Sequence, residues 1–503
     1  MGLIKVFGRV AARILVLGLF CAVLALGFRA FEAWRGPHLS LWHTYVPPEL
    51  TVAELDATDW AGYLAAEARA FAAVRANVSD RLPADEQTRF NRYFPGAANF
   101  PGGFPTDWNR SFMLQPQGPI TGVAVLVHGL TDSPYSLRHF ARLYAARGFT
   151  VLALRVPGHG TVPSALLDMG HETWRAAVRL AMREARRLAG PQKPIHLMGY
   201  SNGGALAVLH SLDAIEQPDL VKPDQIVLIS PMIGVTQFAR LAPLAALPAF
   251  VPGFEAARWL DLLPEYNPFK YNSFPANAAA QSYQLTQLVQ ARLSALSSRL
   301  AAFPPVLTFQ SVVDQTVSAE AVVNGLHMRL PSGRSELVLF DVNRDGPLDF
   351  LLTQDAKTAL ERLLPAAPRP FRSVVVVNAA ADLPQGGSAS TGRMEARMVE
   401  AGETGVRRTP LAPDMVYPPT VYSLSHVAMP FPLSDGLYGI SPDAGEAFGI
   451  RIGDLVARGE RGAFRVGEDV LMRIASNPFL PFMFERLGAT LTPPASQGPP
   501  PAR

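Results

Sequence analysis

Residues 195–207 read IHLMGYSNGGALA, and this stretch decides the fold. A short strand-like run comes first, the pentapeptide Gly199-Tyr200-Ser201-Asn202-Gly203 follows, and small residues at helical spacing come last. A sharp turn from strand to helix holds a serine hydroxyl clear of the backbone, and glycines on both sides allow close backbone approach. The helix N-terminus adds a positive dipole end. This setting predicts Ser201 as a nucleophile, whereas the pentapeptide alone would indicate only a tight turn.

On both sides of this turn, short apolar runs alternate with helical patterns, which predicts a doubly wound, mostly parallel α/β sheet. Two segments interrupt the alternation. Residues 232–303 are rich in proline, leucine and aromatic residues and are predicted to form a cap over the site. Residues 341–420 form a second insertion of open role, with a strand-like run at 373–377 and a Gly/Ser stretch at 385–392. The predicted strands are 122–127, 149–154, 195–198, 225–229, 306–309 and 336–340, and the predicted helices between them are 136–146, 173–188 and 204–212.

The strand at 122–127 ends in Val127-His128-Gly129-Leu130. An oxyanion hole needs two backbone N–H groups aimed at the developing negative charge. In this type of turn, one comes from the residue after the nucleophile and the other from the loop after this strand. We therefore expect the N–H groups of Asn202 and Leu130 to form it. His128 could be a base, but its place beside a strand end favours a role in orienting the loop.

Three motifs together resemble the α/β-hydrolase superfamily, and within it the monoacylglycerol-lipase and serine-aminopeptidase-like branch. They are VHGL at 127–130, RVPGHG at 155–160 and GYSNG at 199–203. The similarity covers residues 121–340 and a later histidine segment. It implies an α/β-hydrolase fold with a cap, a structural role for His159, and catalytic residues in the order serine, acid, histidine.

Asp314 is the expected acid. It lies in a loop after the strand at 306–309, where the family's acid sits, and we prefer it to Asp341 and Asp345. Its alternative role is to cap the next helix, but Ser318 can cap that helix itself.

His426 is the expected base, since it follows a strand-like run and lies on a loop. His327 falls inside the helical pattern at 319–328 and is interpreted as a surface or packing residue. The family's base usually follows the last strands closely, whereas about eighty residues separate Phe340 from the strand before His426. In the implied mechanism, His426 takes the proton of Ser201, and Asp314 stabilises the resulting imidazolium.

The N-terminus is predicted to reach a membrane. Residues 14–28 carry no charge and follow Lys5, Arg9 and Arg13. The run is short for a span of roughly 20 residues, although Arg13 can snorkel. Residues 25–27 make a poor cleavage site, so we favour an uncleaved anchor over a signal sequence or a buried core helix. The preceding cations predict a cytoplasmic N-terminus and a periplasmic or other extracytoplasmic catalytic domain.

The chain is therefore predicted to have four parts. They are an anchor or signal sequence at 1–35, a lead-in with a helix over 54–74 at 36–105, the hydrolase domain at 106–487 and a Pro-rich tail at 488–503.

Composition excludes several classes of function. A net charge of +3 over 503 residues, without a basic stripe, gives no indication of nucleic-acid binding. Cys21 is the one cysteine, so no disulfide framework or thiolate metal site is expected. His171, His196 and His210 lack metal-ligand spacing. We predict no metal and no cofactor.

The apolar cap and the membrane tether predict a lipid-like or other hydrophobic carboxylic ester as substrate. A peptidase acting at a free amino terminus would favour acidic residues in the cap. Acidic residues are few there (Glu255, Asp261 and Glu265), so the peptidase hypothesis is weaker. An acyltransferase could use the same catalytic residues. A catalytically inactive hydrolase fold serving as an envelope scaffold is the alternative from another class.

Overall fold

The computed structural model describes residues 2–234, 242–345, 352–379, 392–418, 421–454 and 476–491. Its strands are β1 (Phe112–Leu114), β2 (Gly122–Val127), β3 (Phe149–Leu154), β4 (Ile195–Tyr200), β5 (Gln225–Ile229), β6 (Trp259–Asp261), β7 (Phe274–Pro275), β8 (Val306–Ser311), β9 (Ser335–Phe340), β10 (Arg372–Asn378), β11 (Met394–Val399) and β12 (Arg407–Pro410). Its α-helices are α1 (Gly2–Arg35), α2 (Leu41–Thr44), α3 (Val52–Ala57), α4 (Trp60–Asn77), α5 (Arg138–Ala146), α6 (His171–Ala189), α7 (Asn202–Glu216), α8 (Ala242–Ala245), α9 (Ala276–Ala295), α10 (Ala319–Gly325), α11 (Gln354–Lys357), α12 (Ala359–Leu363) and α13 (Leu480–Leu491).

The main sheet has ten described strands in the order β1-β3-β2-β4-β5-β8-β9-β10-β11-β12. Neighbouring strands from β3 to β10 are parallel, while β1, β11 and β12 pair antiparallel at the two edges. The central strands are buried along nearly their whole length, mostly by apolar side chains, because helices cover both faces of the sheet. The predicted fold class and all six predicted strands are confirmed.

The helix predicted over 54–74 is wrong as a single element. The chain forms α3 and α4 instead, because Asp59 accepts a hydrogen bond from the backbone N–H of Gly62 and starts a new helix there. Helix α4 packs on the loop after β3, where Glu67 pairs with the buried Arg155 at 3.1 Å.

The insertion at 341–420 extends the sheet. Strand β10 pairs with β9, and β11 and β12 continue outward to the edge. The chain then returns along the carboxyl ends of the strands. The Tyr417 hydroxyl donates to the Asp341 carbonyl (2.6 Å), the Asn343 N–H to the Tyr422 carbonyl (2.7 Å) and the Ser311 hydroxyl to the Leu424 carbonyl (2.7 Å). Residues 380–391, with most of the Gly/Ser stretch, and 492–503, with most of the predicted tail, lie outside the described residues.

Helix α1 is the candidate membrane span. Its segment Arg13–Arg35 is long and apolar enough to cross a bilayer by length and composition, with a mean hydropathy of 2.4, a test that a signal sequence also passes. The side chains of residues 14–24 are all exposed.

Candidate active site

Ser201 forms the turn between β4, which ends at Tyr200, and α7, which begins at Asn202. Its backbone has φ 55° and ψ −117°, a conformation that costs energy for any residue with a side chain. Neighbouring backbone holds this turn in place: the Ser201 N–H donates to the Ile229 carbonyl (3.0 Å), and its carbonyl accepts from the Met232 N–H (2.9 Å). The strain is therefore supported from the adjacent strand.

The two glycines of the pentapeptide are required by close backbone contacts. A Cβ on Gly203 would lie 2.0 Å from the Val127 carbonyl oxygen, and one on Gly199 would lie 2.3 Å from the Gly203 carbonyl oxygen. No side chain fits at either place, so the sequence of the turn follows from how tightly α7 packs on β2 and β4.

The loop after β2 passes beside Ser201, since a Cβ on Gly129 would lie 3.1 Å from the Ser201 Cβ. Among the residues that the structure describes, neither the Leu130 N–H nor the Asn202 N–H has a hydrogen-bond partner. Neither N–H group is therefore engaged elsewhere, and their binding of an oxyanion stays a prediction.

His128 fixes this loop. Its Nε2 accepts from the Val156 N–H (3.0 Å), so its Nδ1 carries the proton and donates to the Gly129 carbonyl (2.8 Å). Burial, reinforced by the neighbouring His159, lowers the pKa of His128 well below its ordinary value. A neutral imidazole with a hydrogen bond at each ring nitrogen fits the predicted orienting role rather than that of a base.

His426 and Asp314 meet at the carboxyl edge of the sheet, with 2.9 Å between His426 Nδ1 and Asp314 Oδ2. The other Asp314 oxygen accepts from the Thr316 N–H (2.8 Å) and the Val317 N–H (3.0 Å). Burial alone would raise the pKa of Asp314, but the imidazole and these N–H donors outweigh it and lower the pKa. Asp314 is thus a carboxylate acceptor whose bond to Nδ1 fixes the orientation of the His426 ring.

Tyr200 links this pair to the nucleophile turn. Its hydroxyl donates to the His426 carbonyl (3.2 Å), and the two rings stack with 5.3 Å between their centroids. Because Tyr200 immediately precedes Ser201, these contacts hold His426 against the residue before the predicted nucleophile.

The alternative residues have other roles. His327 is fully buried after α10 and bonds through its two ring nitrogens to Ser335 and Thr308, each at 3.0 Å. It is a packing residue of the core and not a surface residue. Asp341 pairs with Arg344 at 2.7 Å.

A further set of contacts, missed by sequence reasoning, lies next to the loop after β2 (residues 128–133), which we call the oxyanion loop after its predicted role. Tyr135 stacks on Phe269 of the cap at 4.1 Å, and its hydroxyl donates to Asp435 (2.8 Å). The Arg138 guanidinium pairs with Asp435 (2.8 Å) and with Glu446 (2.5 Å). Residues 427–454 are thereby fastened to the start of α5. No motif surrounds Asp435 in the sequence, so only its long-range partners reveal it.

Glu446 and Asp435 also lie close to His139, in an arrangement that could by distance hold a metal ion. The Arg138 guanidinium already pairs with both carboxylates, so we interpret the cluster as an ion-pair network.

Asp132 lies in the oxyanion loop with one oxygen bonded to the Ser136 hydroxyl (2.7 Å). Its other oxygen is buried and has no hydrogen-bond partner in the described part of the chain. Burial raises the pKa of Asp132 to about 6. The loop that passes beside Ser201 therefore contains a carboxyl group whose ionisation is costly.

Comparison with known proteins bears on the family of the chain. A sequence model described as "Alpha/beta hydrolase family" matches residues 124–385, just over half of the chain. A thermostable monoacylglycerol lipase from Bacillus sp. (strain H-257) is 27% identical over 219 residues, which are 42% of this chain and 77% of the lipase.

Two solved structures are also similar. One comes from work on the metagenome-derived lipolytic enzymes LipS and LipT, with 22% identity, 51% of this chain and 95% of that chain covered, and a TM-score of 0.37. The other is a soluble variant of monoglyceride lipase from Saccharomyces cerevisiae with a substrate analog, with 13% identity, coverage of 46% and 81%, and a TM-score of 0.37. The family of the chain is shown by the sequence model that matches residues 124–385.

Proposed function

Because this chain belongs to the alpha/beta hydrolase family, we propose that it is a serine hydrolase of carboxylic esters with Ser201, His426 and Asp314 as its catalytic residues. The observation that carries the proposal is the 2.9 Å bond between His426 and a buried Asp314, next to a serine in a strained turn. Nucleophile, base and orienting acid are the three parts that this chemistry requires.

Each group has one task in the proposed reaction. The His426 Nε2 takes the proton of the Ser201 hydroxyl as its oxygen attacks the ester carbonyl, and the Leu130 and Asn202 N–H groups bind the oxyanion. The imidazolium then protonates the leaving alcohol. Water, deprotonated by the same imidazole, attacks the acyl-enzyme and releases the acid, which restores Ser201.

We propose a lipid-like or hydrophobic ester as the substrate. The similarity to a monoacylglycerol lipase supports this, and the apolar cap lies at the site, since the Tyr271 N–H donates to the Thr131 carbonyl of the oxyanion loop (2.7 Å). An aminopeptidase gains no support. Glu265, an acidic candidate in the cap, is buried and accepts from the Ser273 N–H (2.8 Å), so it serves the cap's own fold.

The proposed location is the membrane surface. Helix α1 would anchor the chain with its N-terminus in the cytoplasm and the predicted hydrolase domain, residues 106–487, on the other side. The length and apolar composition of α1 support the anchor, and Lys5, Arg9 and Arg13 support the orientation.

A fluorophosphonate probe tests the nucleophile. The wild-type chain should be labelled and Ser201→Ala should not. Ser230→Ala is the matched control, because Ser230 also has a positive φ (40°), is buried and directly follows the neighbouring strand β5. Labelling that persists in Ser201→Ala, or its absence from the folded wild type, would overturn the proposal.

Substrate class is tested with p-nitrophenyl esters of increasing acyl length and the matching anilides. Faster turnover of long-chain esters, with little anilide cleavage, is expected. Equal turnover of the anilides would instead favour a peptidase.

A further inference from the structure

The cap carries an apolar surface that the protein leaves uncovered. Residues 242–254 contain no charged residue. Within them, Leu244, Leu247, Phe250 and Val251 are exposed by 53%, 40%, 86% and 54%. We call residues 244–251 the cap ridge. Adjacent large apolar side chains at such exposure are unfavourable in water and indicate a surface that something apolar covers.

The end of α1 lies against the same part of the cap. The Arg29 guanidinium donates to the Trp259 carbonyl (2.9 Å) and also pairs with Glu32 (2.8 Å). Helix α1 further contacts the short helices Leu247–Phe250 and Glu255–Arg258. The candidate membrane helix and the cap ridge are thus direct neighbours.

The chain after α1 reinforces this proximity. Helix α1 ends at Arg35, and six residues later the chain enters α2, whose Trp42 and His43 are buried. The His43 ring packs against Trp259 at 5.0 Å, and its Nε2 bonds to the Ser273 hydroxyl at 3.1 Å. Six residues span at most about 20 Å. The cap therefore stays close to the point where α1 would leave the membrane.

We propose that the cap ridge inserts into the surface of the lipid bilayer that α1 crosses. The proposal rests on the proposed anchor, and it adds a second, oriented contact with the same membrane. The occupant is lipid because the ridge is uncharged and lies against α1, which is long and apolar enough to cross a bilayer and exposes its apolar side chains over residues 14–24. Apolar segments of this kind enter about 5–10 Å into the boundary between headgroups and acyl chains. The ridge would hold the cap against the surface from which an apolar ester arrives.

The test uses the full-length chain, reconstituted into phosphatidylcholine vesicles with brominated or unbrominated acyl chains. In a Cys21→Ser background, an environment-sensitive fluorophore is attached to Val251→Cys or to Val406→Cys. The two valines are matched, because they are exposed by 54% and 56%, but Val406 adjoins the edge strand β12.

Brominated lipid should quench most of the emission of the label at position 251 and leave the label at 406 unchanged. Equal quenching at both positions, or none at either with the protein bound to the vesicles, would overturn the ridge proposal. Failure of the protein to float with vesicles would overturn the anchor and the ridge together. Fluorophosphonate labelling of the same samples reports the proposed hydrolase separately, so the proposals can fail independently.

Discussion

The proposed nucleophile and the proposed base are positioned by two regions of the sheet that differ in the range of their contacts. Ser201 lies between the strand before it and the helix after it, with two glycines within five residues, and backbone bonds to Ile229 and Met232 hold the turn. His426 follows three further strands at the edge of the sheet. Hydrogen bonds such as that from the Ser311 hydroxyl to the Leu424 carbonyl hold the chain before it at the carboxyl ends of the strands. The sequence pattern of the turn at Ser201 is local, although neighbouring strands hold it, whereas the place of His426 depends on residues more than a hundred positions away.

This difference explains how the chain can carry a long insertion without losing its site. Strands β10 to β12 add to the far edge of the sheet, and the return segment, described at residues 411–418 and 421–425, runs back along the carboxyl ends of β8 and β9. The insertion lengthens the path of the chain but leaves the end point beside Asp314.

The largest effect is expected at Asp314, where the long-range part of the site meets the core. Asp314→Asn should lower kcat by about 10⁴-fold, because the amide no longer holds the imidazole in the productive tautomer. Asp341→Asn, the control, removes a carboxylate that pairs with Arg344 and should keep the wild-type kcat. If the two variants lose activity equally, Asp314 is not the orienting acid.

The buried Asp132 should make the folded protein less stable as the pH rises. Its pKa is about 6 in the folded protein, above its ordinary value of 3.8, so the folded protein binds this proton more tightly than the unfolded chain. The associated stability, about 3 kcal/mol, is complete below pH 4 and is lost as the pH rises through 6. Urea unfolding at pH 4 and pH 7.5 should show a smaller pH dependence for Asp132→Asn. An unchanged pH dependence would contradict the shift.

A methyl group at Gly203 tests the local turn. Gly203→Ala should cost about 1–3 kcal/mol of unfolding free energy and slow fluorophosphonate labelling, since its Cβ would collide with the Val127 carbonyl. Gly405→Ala, in the insertion, places a Cβ with no neighbour within 4 Å and should change neither quantity. Full activity and stability of Gly203→Ala would refute the tight packing.

The smallest effect is expected for one bond of the return segment. Ser311→Ala should cost about 1 kcal/mol and lower kcat at constant KM, because Leu424 helps to position His426. Ser282→Ala loses a comparable buried bond, to the Ala279 carbonyl, within α9. It should lose similar stability with kcat unchanged, and equal kcat values for both variants would remove the positioning role.

The sequence predicted the parts of the molecule that depend on nearby residues. The apolar strands and the turn at Ser201 carry their own pattern, because a parallel strand is buried on both faces and the turn needs its glycines. The prediction of one lead-in helix is wrong because Asp59 acts as a helix N-cap and starts a second helix, although the apolar spacing continues across it.

Other features could not be predicted because their partners are distant in the chain. The sheet extension by β10 to β12 depends on pairing across the edge of β9. The cluster around Asp435 depends on Arg138, almost 300 residues earlier. No local pattern encodes such contacts.

The central claim is that the long return path delivers His426 to Ser201 as its base, and the rate of fluorophosphonate labelling tests it without knowledge of the substrate. We expect His426→Ala to be labelled at least about 10³-fold more slowly than the wild type, because Ser201 then lacks a base. His327→Ala should be labelled at the wild-type rate while being less stable, since it loses two buried hydrogen bonds. Wild-type labelling of His426→Ala, with slow labelling of a folded His327→Ala, would contradict the account.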